Sequence, residues 1–325
     1  MKFGYWRFFD DWCLEFDDDH IYTRINMRST LQLESPAKVN LRLEILKKRE
    51  DGYHEIRTVF QKISVHDTIR FSLKKERKIS ITTNQPGLPV GKSNLVYRAA
   101  QTILTRSDYQ GGISIHIDKR IPLGAGLGGG SSNAATTLKA LNHLLEVGLS
   151  RKEMMALGVQ IGADVPFFFL KEGAIATGIG ERLKEIGLPI LWYVLIYPNF
   201  EVSTRWAYQN SRLTKKKYRF KIQEFLTTPE EVSKMLMNDL EEVVSEKFPQ
   251  IDLMKKNLIS AGAIGSLMTG SGPTVFGIFS NRGDALKAYK KVTYQIRGNG
   301  WLVLKAHSLP FREAPNNKHP IQIRF

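Results

Sequence analysis

The feature that most constrains this chain is the stretch IPLGAGLGGGSSNAA, Ile121–Ala135, which places five glycines within the seven residues 124–130. A helical pattern follows, and the N-terminus of a helix leaves about four N–H groups unpaired and carries a partial positive charge. Glycines let an anion approach such a backbone closely. A flexible turn with Ser131 or Ser132 as helix cap is the alternative, but it needs fewer glycines. The stretch therefore predicts a phosphate-binding loop.

Three common phosphate-binding motifs do not account for this loop. Residues 124–129 fit the spacing G-x-G-x-x-G, but the acid at the right distance, Glu146, lies in a helical pattern instead of ending a second strand. The preceding ISIHID alternates, whereas a buried parallel strand is continuously apolar. No Lys follows the glycines as in a Walker A motif, and the chain has no H-R-D or D-F-G motif. The dinucleotide-binding, Walker A and protein-kinase classes are excluded.

Strand and helix patterns are mixed along the rest of the chain. In SPAKVNLRLEIL, apolar residues 39, 41, 43 and 45 alternate with polar residues 38, 40, 42 and 44, which predicts a strand with one face in water. Further strands are predicted at 59–73, 79–82, 113–117, 173–178, 191–197 and on both sides of a glycine turn within 266–279. Helices are predicted at 94–105 with Ser93 as N-cap, after the glycine loop, and at 151–160, 235–247, 254–261 and 285–294. This mixture, without strict β–α–β order, predicts an α+β fold.

Charge and composition limit the cellular setting. The formal net charge is +15, which we interpret as a solvated basic surface in preference to a nucleic-acid-binding patch, because the basic residues are spread along the chain. The longest apolar run, residues 190–197, is too short for a membrane helix, and residues 1–28 do not resemble a signal peptide. A single cysteine, Cys13, fits a reducing cytoplasm. We expect a cytoplasmic protein with no nucleic-acid or membrane partner.

Five segments of the chain resemble motifs of the GHMP kinases. PLGAGLGGGSSNAA is similar to the phosphate loop of that family, and its three consecutive glycines resemble the branch that phosphorylates 4-diphosphocytidyl-2-C-methyl-D-erythritol. SPAKVNLRLEI at Ser35, DGYHEI at Asp51 and IGADVPFFF at Ile161 resemble the same branch. A glycine turn, MTGSGPTVFGIF at Met268, resembles a third family motif. The resemblance extends from about Ser35 to Phe279.

The resemblance implies a reaction and an architecture. The reaction is transfer of a phosphoryl group from ATP, with Mg²⁺, to the 2-hydroxyl of a small substrate that carries a cytidine diphosphate group, in non-mevalonate isoprenoid biosynthesis. The architecture is an N-terminal domain like ribosomal protein S5 domain 2 and a ferredoxin-like C-terminal domain. We therefore divide the chain into an N-terminal extension at 1–33, an ATP-binding domain at 34–185 and a C-terminal GHMP kinase domain at 186–325.

The resemblance also implies the catalytic residues. Asp164 corresponds to the family's catalytic Asp in G-A-D-V-P-F, and its alternative role is a helix cap or turn Asp before Pro166. Lys38 corresponds to the cation that assists this Asp, although a strand lysine is more often solvated. Asn40, one alternation step from Lys38, would then bind substrate.

The nucleotide half of the substrate would meet DGYHEI. Tyr53 can stack on a flat base, and His54 can offer one donor and one acceptor to a pyrimidine edge. Asp51 and Gly52 are a strong hairpin signal, and a hairpin turn is compatible with that role. The family pattern V-S-T-x-x-x-Y places a second aromatic residue at Tyr208, with Trp206 as the alternative.

The ATP half is assigned to the glycine loop and to Asn94, which precedes a predicted helix. The loop residues are Pro122, Leu123, Gly124, Ala125, Gly126, Leu127, Gly128, Gly129, Gly130, Ser131 and Ser132. Ser132 is a candidate side-chain ligand for Mg²⁺, although the resemblance by itself assigns no protein ligand to the ion. Gly270–Gly272 would support the site or form only a tight turn.

Three rival functions stay open at this point. Another GHMP kinase, for mevalonate or homoserine, is disfavoured because those substrates carry no cytosine for DGYHEI to bind. An RNA-binding protein would fit the high charge and would show steep salt dependence with no need for Lys38. A catalytically inactive relative is disfavoured because both Lys38 and Asp164 are present.

Overall fold

The computed structural model describes residues 29–171, 173–212 and 227–309, which form strands and helices in mixed order. The described strands are β1 Thr30–Lys48, β2 His54–Lys74, β3 Ile79–Thr83, β4 Gly112–Asp118, β5 Gly173–Gly178, β6 Arg182–Ile186, β7 Trp192–Tyr197, β8 Met237–Asn238, β9 Gly265–Met268, β10 Val275–Phe279 and β11 Leu302–His307. The described α-helices are α1 Leu95–Leu104, α2 Gly129–Leu144, α3 Arg151–Ile161, α4 Thr204–Asn210, α5 Pro229–Met235, α6 Glu241–Lys247, α7 Gln250–Ser260 and α8 Arg282–Gln295, with a 3₁₀ helix at Pro166–Phe169. The predicted α+β class is confirmed.

The described chain divides into two compact units. The first unit contains residues 29–36, 66–121 and 129–169, and the second contains residues 37–65, 122–128 and the described residues from 170 onward. Strands β1 and β2 each contribute one part to each unit. The predicted domain boundaries at residues 33 and 185 stay predictions. Thr30–Leu33, assigned above to the N-terminal extension, form the start of β1, where Leu31 and Leu33 are buried.

The first unit places helices over a short sheet. The second part of β2 pairs antiparallel with β4, and β3 pairs parallel with β4. The alternation of ISIHID predicts one apolar face on β4. Ile113, Ile115 and Ile117 form that face and are fully buried. Burying one such side chain contributes about 1.5–3 kcal/mol. Glu146 follows the end of α2 in a turn with φ of 49°, so it does not end a strand.

The start of α1 differs from the prediction by one residue. Asn94, not Ser93, is the N-cap, and its side-chain oxygen accepts a hydrogen bond from the Val96 N–H at 2.8 Å. Asn and Ser are about equally good caps, so local preference could not choose between adjacent residues.

The second unit contains a four-stranded antiparallel sheet in the order β11–β7–β10–β9. Its strands follow a β-α-β-β-α-β sequence, with α7 before β9 and α8 before β11, which is the ferredoxin-like arrangement expected from the resemblance. Helices α7 and α8 bury Met254, Leu258, Ala288 and Val292 in the core beneath this sheet. In the same unit β5 pairs with β2 and β6.

The predicted helix at 235–247 is wrong in its first half. Residues of α5 and α6 flank β8, whose Met237 and Asn238 pair in parallel with Arg42 and Leu43 of β1. The Asn238 amide donates to the carbonyls of Met268 at 2.7 Å and Gly270 at 2.8 Å. These long-range hydrogen bonds outweigh the helix propensity of residues 235–240. A local pattern cannot predict them, because their partners lie far away in the sequence.

Across the described ranges, the longest apolar helical segment falls short of what a bilayer crossing needs.

Candidate active site

The polar face of β1 is buried, which corrects the prediction of a face in water. Lys38, Asn40, Arg42 and Glu44 are each only 2–4% exposed. Buried polar groups need partners, and these have them within the second unit. The Lys38 Nζ lies 2.6 Å from the Asn40 Oδ1, and it also lies over the Phe60 ring at 5.0 Å from the centroid. The lysine proposed as a catalytic cation is therefore a fixed, buried charge.

Arg42 and Glu44 extend this buried row toward the hairpin. Glu44 forms ion pairs with Arg42, at 2.5 Å, and with Arg57. Burial alone would raise the pKa of the Glu44 carboxyl, but the hydrogen bonds from Arg57 and Arg42 outweigh it and lower the pKa. The carboxylate therefore stays ionised and holds both strands.

The first part of the glycine loop, Pro122–Gly128, lies in the second unit beside β1. The Lys38 N–H donates to the Leu127 carbonyl at 2.9 Å, and the Tyr197 hydroxyl donates to the Leu123 carbonyl at 3.2 Å. The Gly270–Gly272 turn packs against this part of the loop. A Cβ on Gly126 would lie 2.3 Å from the Thr269 carbonyl oxygen and 3.1 Å from that of Gly272. The second unit therefore brings together Pro122–Gly128 of the loop, Lys38 and the glycine turn.

The second part of the loop begins α2 in the first unit. Because α2 starts at Gly129, the N–H groups of residues 129–132 have no acceptor within the helix. Ser132 is fully buried, and its oxygen accepts a hydrogen bond from the Ser35 hydroxyl at 2.8 Å. The Ser131 hydroxyl lies toward the IGADVP segment, 3.9 Å from where a Cβ on Gly162 would be. This helix end therefore has the N–H donors and the hydroxyl that a phosphate needs.

Asp164 is half-buried in the turn between α3 and the 3₁₀ helix, in the first unit. The Val165 N–H donates to the Gly162 carbonyl at 3.1 Å and closes this turn, and the three phenylalanines that follow are buried. Asp164 thus follows Gly162 by two residues, on the segment that approaches the start of α2. Lys38 belongs to the second unit.

Both polar atoms of the Asn94 side chain form hydrogen bonds within the protein. Its oxygen caps α1, and its Nδ2 donates to the Pro89 carbonyl at 2.5 Å. A role toward adenine stays a proposal for this residue, carried by the remaining amide hydrogen.

A buried ion pair beside the loop was missed in the sequence. The Asp67 Oδ1 accepts from the N–H groups of Arg120 and Ile121, each at 2.8 Å, and its Oδ2 accepts from the Lys119 Nζ at 2.5 Å. The Lys119 Nζ lies 3.0 Å from where a Cβ on Gly129 would be. The pair fixes the chain that enters the loop. It joins positions 52 residues apart, and nothing in HDT or DKR distinguishes it from surface charge.

The hairpin brings His54 beside Tyr208 within the second unit. Asp51 accepts from the Tyr53 N–H at 3.0 Å, and Gly52 has a φ of 83°, so DG forms the predicted turn between β1 and β2. The rings of His54 and Tyr208 are 5.3 Å apart with 31° between their planes. Tyr53 is 61% exposed at the tip of the turn.

Trp206, the alternative aromatic residue, has another position. It packs edge-on against Phe248 at 6.3 Å, with the Lys247 Nζ over its ring at 4.1 Å. Among the two candidates, Tyr208 is the one that contacts His54.

The His54 imidazole is kept neutral near pH 7. Its partial burial lowers the pKa of the ring below the ordinary value of 6.5, and the charge of Lys48 lowers it further. A neutral ring carries one donor and one acceptor, and the Tyr208 ring offers a flat face beside it. The arrangement can bind the edge and the face of a planar base.

No group of three or more His, Cys, Asp or Glu side chains within the described ranges could hold a metal by itself. Mg²⁺ in phosphoryl-transfer sites needs no such cage, because it takes most of its ligands from phosphate oxygens and water.

Comparison with known proteins gives the family. Residues 94–172 match the model of the GHMP kinases N terminal domain, and residues 222–297 match that of the GHMP kinases C terminal. The 4-diphosphocytidyl-2-C-methyl-D-erythritol kinase of Syntrophotalea carbinolica is 49% identical over 255 residues, covering 78% of this chain and 91% of the relative. That of Citrifermentans bemidjiense is 45% identical and covers 86% of this chain and 99% of the relative.

Solved structures agree with the sequence relatives. A crystal structure of 4-(cytidine 5'-diphospho)-2C-methyl-D-erythritol kinase superposes with a TM-score of 0.70 at 33% identity, covering 85% of this chain and 98% of that one. A homoserine kinase from Cytophaga hutchinsonii, 19% identical with a TM-score of 0.66, shares the fold. The two-domain GHMP kinase fold expected from the sequence is confirmed. The chain belongs to the GHMP kinases, as a small-molecule kinase of the 4-diphosphocytidyl-2-C-methyl-D-erythritol kinase family.

Proposed function

We propose that this kinase transfers the γ-phosphoryl group of ATP to the 2-hydroxyl of 4-diphosphocytidyl-2-C-methyl-D-erythritol, with Asp164 as general base assisted by Lys38. The hydroxyl proton passes to the Asp164 carboxylate, the hydroxyl oxygen bonds to the γ-phosphorus, and the bond from that phosphorus to the β–γ bridging oxygen breaks. The products are the phosphorylated substrate and ADP. This reaction belongs to non-mevalonate isoprenoid biosynthesis, and we expect it in the cytoplasm.

Positioning and charge neutralisation supply most of the catalysis in phosphoryl transfer. The free N–H groups at the start of α2 would bind the ATP phosphates, together with the loop residues before them. Lys38 is buried and held by Asn40, so its charge costs no reorganisation when negative charge develops on the transferred group. Mg²⁺ would neutralise charge on the phosphates when bound. Of the two loop serines, Ser131 fits better as its protein ligand, because the Ser132 oxygen already accepts from Ser35.

The observation that carries the substrate assignment is the pairing of His54 with Tyr208. A neutral His54 would accept from the exocyclic amine of cytosine or donate to its ring, while Tyr208 and the exposed Tyr53 would cover the base. Mevalonate and homoserine carry no base that could use this arrangement.

The test is ATP turnover by the purified full chain with three acceptors: the diphosphocytidyl substrate, mevalonate and homoserine. We expect turnover with the first and none with the others. Phosphorylation of mevalonate or homoserine would overturn the substrate assignment. RNA binding that falls steeply with salt and does not change in Lys38→Ala, in a protein without turnover, would favour the RNA-binding alternative.

We predict that the KM for the diphosphocytidyl substrate rises at acid pH. The pKa of His54 lies below 6.5, so the neutral ring persists through neutral pH, and protonation replaces its acceptor by a second donor only on the acid side of 6.5. Loss of that hydrogen bond should raise the KM about tenfold. Steady-state kinetics from pH 8 to pH 5 measure it.

The matched variants are His54→Asn and His116→Asn. Asn does not titrate, so His54→Asn should have a high KM at every pH. Its KM should show no further rise at acid pH, that is, no acid limb. His116 lies on β4 with its Nδ1 2.9 Å from the Thr82 hydroxyl, and His116→Asn should keep the acid limb. An acid limb that survives in His54→Asn would exclude His54 as its source.

A further inference from the structure

The side-chain amide of Asn40 could fit in two orientations that differ by a 180° rotation, because its oxygen and its NH₂ group occupy similar space. The two orientations differ greatly beside Lys38. One presents an oxygen to the ammonium group, and the other presents two N–H donors to it. The observed orientation has the Oδ1 at 2.6 Å from the Lys38 Nζ, which satisfies the amide oxygen and leaves the Nδ2 to be held by another group.

Thr58 of β2 is that group. It is fully buried, and its hydroxyl donates to the Arg42 carbonyl at 2.6 Å. A hydroxyl has one proton, so the Thr58 oxygen can act toward Asn40 only as an acceptor. The Asn40 Nδ2 donates to it at 2.8 Å. The amide nitrogen is therefore directed to Thr58 and the amide oxygen to Lys38.

The other contacts of Asn40 fix its backbone more than its amide. The Asn40 N–H donates to the Thr269 Oγ1 at 2.9 Å, whereas the distance from that oxygen to the Asn40 Oδ1 is 3.4 Å. Turning the amide by 180° would place its NH₂ against the ammonium of Lys38 and its oxygen against a lone pair of Thr58. Both contacts would become repulsive.

We propose that Thr58 is a positioning residue for phosphoryl transfer, which orients the amide of Asn40 so that its oxygen holds the Lys38 ammonium in place. This inference rests on the proposed role of Lys38. Thr58 itself touches neither reactant in this mechanism. Its effect passes along the hydrogen-bonded series Arg42 carbonyl, Thr58 hydroxyl, Asn40 amide and Lys38 ammonium.

The variant Thr58→Val removes the hydroxyl at nearly constant shape. We expect kcat to fall about tenfold, the size of one hydrogen bond between neutral groups, with the KM for ATP within twofold of wild type. Thr58→Ser keeps the hydroxyl and should recover most of kcat. Thr274→Val is the matched control, since the Thr274 hydroxyl is also buried but has no hydrogen-bond partner among the described residues. It should keep kcat within twofold.

A double-mutant cycle separates positioning from a general loss of structure. In a Lys38→Met background, adding Thr58→Val should change the residual kcat by less than twofold, because the group that Thr58 positions is gone. An equal tenfold loss in both backgrounds, or wild-type kcat in Thr58→Val, would overturn the proposal. Unfolding midpoints of each variant identify any that fail to fold, and Thr58→Ser then decides: a kcat well below wild type in a folded Thr58→Ser protein also counts against it. Near-wild-type kcat in Lys38→Met would instead overturn the proposed function of Lys38.

Discussion

Asp164→Asn is expected to lose at least ~10²-fold in kcat, which corresponds to about 3 kcal/mol of transition-state stabilisation. The amide has the shape of the carboxylate but cannot take the proton of the substrate hydroxyl. Asp164 is half-buried in a turn closed by the backbone of Gly162 and Val165, so the substitution should leave that turn in place. We therefore expect the KM values for ATP and for the diphosphocytidyl substrate to stay within a few-fold of wild type.

The measurement is single-turnover kinetics, which reports the chemical step without product release. Asp108→Asn provides a control, since Asp108 is an exposed aspartate of the same unit, and this variant should keep wild-type kcat. If Asp164→Asn turns over at nearly the wild-type rate, the family assignment is unaffected and the general-base mechanism is wrong. Catalysis would then rest on positioning by Lys38 and the loop alone.

Local patterns predicted most elements because each depends on neighbouring residues. The alternation in SPAKVNLRLEIL gave the strand, DG gave the hairpin turn, and the glycine-rich stretch gave a loop that leads into α2. In each case a side chain or a backbone preference acts within a few residues of itself. The motifs taken together indicated the family. The proposed roles of Lys38 and Asp164 come from that resemblance.

Burial of the polar face of β1 could not be predicted in the same way. The alternation shows two faces but does not show what covers them. Asn40 is satisfied by Thr58 and by Thr269, the latter 229 residues away, and Arg42 donates to the Met235 carbonyl across 193 residues. A polar residue on a strand is usually solvated, so the prediction of a wet face followed the common case. The exception includes Lys38, the residue for which we propose a catalytic role.

Orientation of the cytosine-binding candidates shows the same limit. The family pattern selected Tyr208 over Trp206, but the contact with His54 depends on where α4 lies. Phe248, which packs against Trp206, lies at the end of α6, after α5 and β8 in the sequence. The lowered pKa of His54 likewise follows from burial and from Lys48, and neither is visible in DGYHEI by itself.

Gly126→Ala should be the most damaging single substitution in the glycine loop. Gly126 has a φ of 76°, which costs an L-residue about 1–2 kcal/mol. Its new Cβ would also lie 2.3 Å from the Thr269 carbonyl oxygen, a backbone atom that cannot rotate away. Overpacking of this kind costs about 1–3 kcal/mol, so we expect the free energy of unfolding to fall by on the order of 3 kcal/mol. Since the same contact fixes the loop against the glycine turn, kcat/KM for ATP should fall at least ~10²-fold.

Gly148→Ala separates the two causes. Gly148 has a φ of 77°, almost that of Gly126, but a Cβ there has open space within 4 Å. The free energy of unfolding of Gly148→Ala should therefore fall only by the cost of the positive φ, about 1–2 kcal/mol. Its kcat/KM for ATP should stay at the wild-type value. Urea unfolding and ATP kinetics on both variants make the comparison. Equal losses in both would mean that backbone conformation alone makes glycine necessary at position 126. A larger loss of stability and of kcat/KM in Gly126→Ala would mean that the close contact with the Thr269 carbonyl is what requires glycine. The loop then depends on a backbone approach that leaves no room for a side chain.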